Sequence, residues 1–226
     1  MSAAPTPGRT GPRRALTQDQ IVSAALTLLD ASGPSAASIR GIAAKVGVAP
    51  NAVYTYFPDK AAVVKGVVER LLGEVDHTAS GDDAGSWRDR VAALAVELRR
   101  ALLAHPGAVP LMIGGPMDGP HALALNERLL ELLADAGLDP ADAARAAYLL
   151  IVYAFGSIAM EVADQHGVAP MPPEQDRIAA RLDAFAAIPA THLPRTAAAA
   201  SVMAGYVSEA QYVWGLHRVL DGISPG

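Results

Sequence analysis

The sequence predicts an all-α protein in two parts: an N-terminal three-helix helix-turn-helix domain, joined by a long helix to a larger C-terminal helical domain. Three observations carry that expectation. Apolar residues recur at i, i+3, i+4 and i+7 in one segment after another, the period of a helix with one buried face. No stretch sustains the alternation of a half-buried strand. Ser, Thr or Asp stands before most of these segments and Gly or Pro after several, the residues that start and stop helices.

The elements follow in order. Residues 1–15, with Arg9, Arg13 and Arg14, read as a flexible basic arm. Thr17 caps a helix to about Ser32, with Ile21, Ala24, Ala25, Leu28 and Leu29 on one face, and Gly33-Pro34 ends it. Ser38 caps a short second helix whose inner side is Ile39, Ile42, Ala43 and Val46, and Gly47 ends it in the left-handed conformation. Pro50 suits the first turn of a third helix over residues 50–57, which Pro58 closes. Asp59 caps a long fourth helix carrying Val63, Val67, Leu71 and Val75.

Residues 76–85, DHTASGDDAG, read as a linker with Asp82-Asp83 solvated. Ser86, with Asp89 at the capping-box position, opens a helix to about His105. HPGAVPLMIGGPMDGP reads as a Gly/Pro-rich bend. Helices are then expected from Pro120 to Ala136 and, capped by Asp139, from Pro140 to Gln165. PPEQDRIAARLDAFAAI makes another, a loop holds Pro189 and Pro194, and Ser208 to Asp221 is the last.

Composition narrows the function. At 51% hydrophobic and 18% charged residues, the chain can bury a core. It has no cysteine, hence no disulfide framework. The first seventeen residues lack the apolar stretch of a secretory leader, and the longest apolar run, Ala146 to Met160, is shorter than the roughly 20 residues of a membrane helix. A cytoplasmic protein with a buried helix there is expected. The net charge of −5 is unevenly spread: residues 1–60 hold six basic and three acidic residues, and the remainder twelve and twenty. That asymmetry fits an anion-facing N-terminal module on an acidic body. No P-loop, nucleophile elbow, zinc-protease or dinucleotide fingerprint occurs, and His105 and His121 lack metal-ligand spacing. Neither enzyme activity, a metal nor a cofactor is expected.

GVAPNAVYTYFPDK, residues 47–60, concentrates three of the eleven aromatic residues in four positions. Two short helices about a tight Gly turn make a helix-turn-helix, whose second helix enters the major groove. On that helix Val53 and Phe57 face inward, while Pro50, Asn51, Tyr54 and Thr55 project outward and Tyr56 lies on the flank. A tyrosine hydroxyl so placed can donate to a phosphate, and Lys60 adds a cation on the same side. Asn51 can pair with adenine N6 and N7.

VAPNAVYTYFPDKAAVV is similar to the recognition-helix signature of TetR-family transcription regulators. SIRGIAAKVGV and ALTQDQIVSAALTLLDASG resemble the same module in order and spacing, so the resemblance covers residues 16 to about 72. It implies backbone contacts from Tyr54, Tyr56, Lys60, Arg40 and Thr17, and base-edge positions at Pro50, Asn51, Ala52 and Thr55. One departure is Ala49 where a Ser or Thr cap is usual, which removes about 1 kcal/mol of helix support.

Family members pair through the C-terminal domain, so a homodimer on palindromic double-stranded DNA is implied. The apolar helix 140–165 and the tail SEAQYVWGLHRVLDGI are the expected pairing helices, with Gly156 and Gly215 allowing close approach. ALLAHPGAV, LADAGLDPADA and the last helix resemble the tetracycline-repressor branch. The histidine that helps hold magnesium in those repressors would fall near Leu111 or Met112, and neither can ligate a hard cation. A largely apolar effector is therefore expected, in a pocket of Leu94, Leu98, Met112, Met117, His121, Leu125, Tyr148, Val152 and Phe155. The domains are placed at residues 16–62 for DNA binding and 63–226 for ligand binding and dimerisation. Two readings stay open: a ligand-responsive repressor, or a helical small-molecule-binding or protein-interaction module with weak or no specific DNA binding, which Ala49 and Ala52 favour.

Overall fold

In a computed structural model of the chain, residues 16–81, 85–165 and 170–223 are described. The basic arm and the Asp82-Asp83 pair lie outside them. The described residues form twelve α-helices, joined by turns and short 3-10 segments, and no strand.

Helices α1 (Gln18–Ser32), α2 (Ile39–Val46) and α3 (Pro50–Tyr54) make a compact head. Its start is a full capping box: Gln20 N–H donates to the Thr17 hydroxyl, and Thr17 N–H donates to the Gln20 side chain at 3.1 Å. Ser38 accepts from Gly41 N–H at 3.0 Å. Gly47 takes φ 74° and ψ 34°, a left-handed conformation that β-carbon sterics make costly for other residues. Ala49 provides no side-chain cap, and α3 has only five residues. What secures it is burial: Val53 and Phe57 are inside with Ile21, Leu29 and Ile42, worth about 1.5–3 kcal/mol for each large side chain. The predicted helix over 50–57 thus shortens at its end, although Phe57 N–H still reaches the Val53 carbonyl at 3.0 Å.

Helix α4 (Lys60–Gly73) starts on an Asp59 cap and lies across α1. Beyond it the first part of the predicted linker is packed. Residues His77–Ser80 form a 3-10 turn against the next helix, with Ser80 buried and its carbonyl accepting from Arg90 Nε at 3.2 Å. Helices α5 (Trp87–Leu103), α7 (Pro120–Asp135), α8 (Pro140–Asp164) and α12 (Glu209–Asp221) build the body. The caps at Ser86 and Asp139 are those the sequence predicts, and Ser208 caps α12.

Two regions expected as loops are partly helical. The bend after His105 contains a 3-10 turn, Pro106–Ala108, then α6 (Val109–Gly114), because Val109 and Met112 find the core and Pro110 stands where a first turn needs no donor. Between α9 (Glu174–Ala186) and α12 the chain forms α10 (Pro194–Ala198) and α11 (Ala200–Ala204), where the alanine run permits short turns.

The body is fastened by a buried ion network. Arg99 of α5 holds both oxygens of Glu161 on α8, at 3.0 and 2.8 Å, with each residue about 5% exposed or less. Arg99 also reaches Glu174 of α9 at 3.0 Å and Glu209 of α12 at 3.1 Å, and Arg177 of α9 meets Glu161 at 2.9 Å. Burial works against the Arg99 charge, but the bonds to Glu161 and Glu174 outweigh it and raise its pKa. Four helices meet at this point. Removing one partner leaves a buried charge undercompensated, so Arg99→Met is expected to cost about 3–5 kcal/mol in urea unfolding. A loss under about 1 kcal/mol would mean that the network adds little to stability.

Candidate functional sites: an exposed recognition helix and an apolar cavity

The outer face of the head gathers the side chains expected to meet DNA. Pro50, Asn51, Thr55, Lys60, Arg40 and Thr17 are exposed, and Tyr54 is 50% exposed despite its ring. Tyr56 is half-buried on the flank, and Gln18 Nε2 donates to its carbonyl at 3.1 Å, tying the start of α1 to the end of α3. Because the Thr17 oxygen accepts inside its capping box, its hydroxyl proton is left to point outward.

Inside the body is an apolar cavity of about 410 Å³ between α5, α7 and α8. Leu94, Leu98, Met117, Leu125, Tyr148 and Phe155 line it, as the sequence predicts. The other three predicted residues lie elsewhere. Met112 is buried under α6 in the core, because that segment is a helix and not a bend. His121 is exposed with its ring over Gly73 of α4. Val152 points from α8 to the exterior. Leu72, Ala95, Asn126, Leu129 and Ile151, among others, take part in the wall and were not predicted. Long-range packing selects them, and helix period alone does not say which of two apolar stripes meets a void.

α8 is not covered on every side, contrary to its all-round apolar sequence. Among the described residues it is the helix long and apolar enough to cross a membrane, yet only 39% of its most apolar stretch is buried. Tyr148, Leu149, Val152 and Met160 (76% exposed) face outward on α8, and Trp214 (60% exposed) does so on α12. The two helices pack together through Tyr153, whose hydroxyl donates to the Tyr212 carbonyl at 2.7 Å. A side chain at Gly215 would overlap that hydroxyl, so this glycine does permit close approach. Gly156 has nothing within 4 Å and faces open space. A groove of about 1110 Å³ runs beside this surface, lined by Met160, Tyr206 and Trp214 together with charged Arg181 and Arg218.

The head meets the body at two joints that no local motif announces. At the first, Gly107 sits against the α1 backbone so closely that a side chain would overlap the Leu29 carbonyl. Beside it His105 Nδ1 lies 2.8 Å from Asp30 Oδ2, with Glu74 at 3.7 Å from Nε2. At the second, Glu69 of α4 accepts from the His121 and Ala122 amides, at 2.8 and 3.2 Å, and so caps α7 from outside. Lys65 of α4 adds an ion pair to Asp118 at 2.7 Å. Gly119, the N-cap residue of α7, has no side chain to do this, and any side chain there would overlap Glu69. An uncapped Gly-Pro helix start is the sequence signal that an outside acceptor is needed.

A helix-turn-helix head with polar and aromatic side chains on its outer face, carried by a helical body with an apolar cavity, defines a DNA-binding regulator with a ligand-binding domain. Residues 21–67 match the family described as bacterial regulatory proteins, tetR family, and residues 80–225 match the tetracyclin repressor-like C-terminal domain. The chain belongs to the TetR family of transcriptional regulators. It is 37% identical over 151 residues to an HTH-type transcriptional regulator of Saccharopolyspora erythraea, covering 67% of this chain and 63% of that one. It is 27% identical over 222 residues to the HTH-type transcriptional repressor DrrR1 of Streptomyces coeruleorubidus, covering 94% and 79%. The crystal structure of the Streptomyces coelicolor TetR-family protein ActR in complex with actinorhodin matches with a TM-score of 0.75 at 26% identity, covering 93% of this chain and 97% of that one.

The His105 joint sets a pH dependence. The Asp30 hydrogen bond raises the His105 pKa above its ordinary 6.5; burial opposes the shift, Glu74 adds to it and Arg70 subtracts. The folded chain therefore holds this proton more tightly than the unfolded chain. The stabilisation is complete below about pH 6.5 and is lost as pH rises through the raised folded value. Urea unfolding of the parent is expected to show this loss, and His105→Asn to remove that part of the pH profile. A parallel profile in the variant would dissociate the joint from stability.

Proposed function

We propose that the protein is a homodimeric, ligand-responsive repressor that binds a palindromic operator and is released by a small, largely apolar effector. The observation that carries this reading is the outer face of the head, where Tyr54 stays half exposed while Val53 and Phe57 beneath it are buried. Tyr54, Tyr56, Lys60, Arg40 and Thr17 are assigned to phosphates, and Pro50, Asn51 and Thr55 to base edges. Residues 16–62 are taken as the DNA-binding unit and 63–226 as the ligand-binding and dimerisation unit. Operator binding places the protein in the cytoplasm.

The outward apolar face of α8 and α12 supports pairing as a four-helix interface, since Tyr148, Val152, Met160 and Trp214 would otherwise stay in water. In such a pair the two recognition helices must match half-sites about 34–36 Å apart or a multiple of that. The effector is assigned to the 410 Å³ cavity. Its α7 wall is bonded to α4 through Glu69, and Gly66 of α4 lies against the Phe57 ring of the head, where an added β-carbon would be crowded. A shift of α7 thereby changes the separation of the heads and weakens operator binding. The named relatives fit this reading: one is a repressor, and ActR is seen with actinorhodin.

The second reading, a ligand-binding or protein-interaction module with weak or no specific DNA binding, draws on the absent cap at Ala49 and on apolar Ala52. Gel shifts across salt on DNA from upstream of its own gene separate the two; failure to bind any sequence specifically would favour the second.

Tyr54→Phe combined with Lys60→Ala is expected to weaken binding to every DNA sequence and to flatten the salt slope by about 1 for each phosphate left without its cation. Parent-like binding would remove these backbone assignments. Trp214→Glu with Met160→Arg is expected to give monomers in sedimentation, with operator affinity abolished. A stable dimer in that variant would move the interface elsewhere.

A further inference from the structure

Two polar side chains line the apolar cavity: Tyr148 and the partly buried Asn126. Asn126 of α7 lines it, and its carboxamide has no hydrogen-bond partner among the described residues. Leu72, Leu94, Leu129, Met117 and Phe155 line the same cavity, and the other polar side chain of the lining, Tyr148, is 70% exposed. No Arg, Lys, His, Asp or Glu lines the cavity.

We infer that Asn126 is the specificity-determining residue of the effector site, and that the effector is an uncharged molecule with an apolar body and one carbonyl, amide or phenol group set against that carboxamide. The inference rests on the proposed reading of the cavity as the effector site. A charged ligand would leave water without finding a counter-charge, the costliest kind of burial. A pure hydrocarbon would fill the volume but leave the Asn126 amide desolvated and unpaired. A neutral group with both donor and acceptor character satisfies it, because a carboxamide gives through its NH2 and takes through its oxygen. Sites that hydrogen-bond a ligand reject analogues lacking the group more sharply than apolar walls discriminate size.

The test uses the full chain and three probes sharing one ring system: 2-naphthamide, 2-naphthoate and 2-ethylnaphthalene, each displacing the neutral dye Nile red. The amide is expected to compete at concentrations about tenfold or more below those of the carboxylate and the hydrocarbon. In Asn126→Leu the amide is expected to lose that advantage over the hydrocarbon. The ranking in the parent needs no variant, so a poorly folding Asn126→Leu leaves the inference exposed to refutation. The carboxylate binding as tightly as the amide, or the amide advantage surviving in a folded Asn126→Leu, would overturn the role of Asn126 while leaving the cavity as the effector site. If neither the dye nor any probe bound, the reading of the cavity itself would fall, and the inference with it.

Discussion

The seating of the head on the body depends on the close approach of Gly107 to the backbone of α1. The Leu29 carbonyl occupies the space a side chain would need, so head and body meet backbone to backbone. Such a contact is stiff, since no rotamer can absorb a shift. The adjacent His105–Asp30 bond fixes rotation about it. One Asp30 oxygen remains buried without a hydrogen bond, and the other meets His105.

The second joint differs in kind. The α7 amides at His121 and Ala122 are orphan donors of a helix start, and the carboxylate that serves them belongs to α4. The bond is directional, and a rotation of α7 about its own axis either drags Glu69 or breaks it. Because α4 also contacts α1 and rides on Phe57 through Gly66, one helix is gripped by both the cavity wall and the head. On the proposed reading, the rigid joint is the fulcrum and α4 the lever.

The head was legible from sequence because its information is local. Thr17, Ser38, Gly47 and Pro50 each fix a boundary by cap or backbone chemistry, and Val53 with Phe57 fixes the inner face of α3 at a spacing of four. The same logic recovered the starts of α5, α8 and α12. The cavity was half legible. Periodicity put Leu94, Leu98 and Phe155 on inner faces, but it could not separate a wall residue such as Leu125 from a core residue such as Met112, which differ only in what lies opposite. Asn126 carries no sequence signal, because a lone amide within LALNERL forms no pattern. Glu69 and Gly107 act across more than thirty residues of chain, and no window on the sequence contains both sides of either joint.

The Glu69 bond carries one more consequence. It grips main-chain amides, which every residue except proline supplies, while the cavity is shaped by side chains further along α7. Chemical taste and mechanical linkage are thus written in separate alphabets on one helix. On the proposed reading, mutation can redraft the lining for a new small molecule, position by position, while the hinge pin that would report its arrival stays in place.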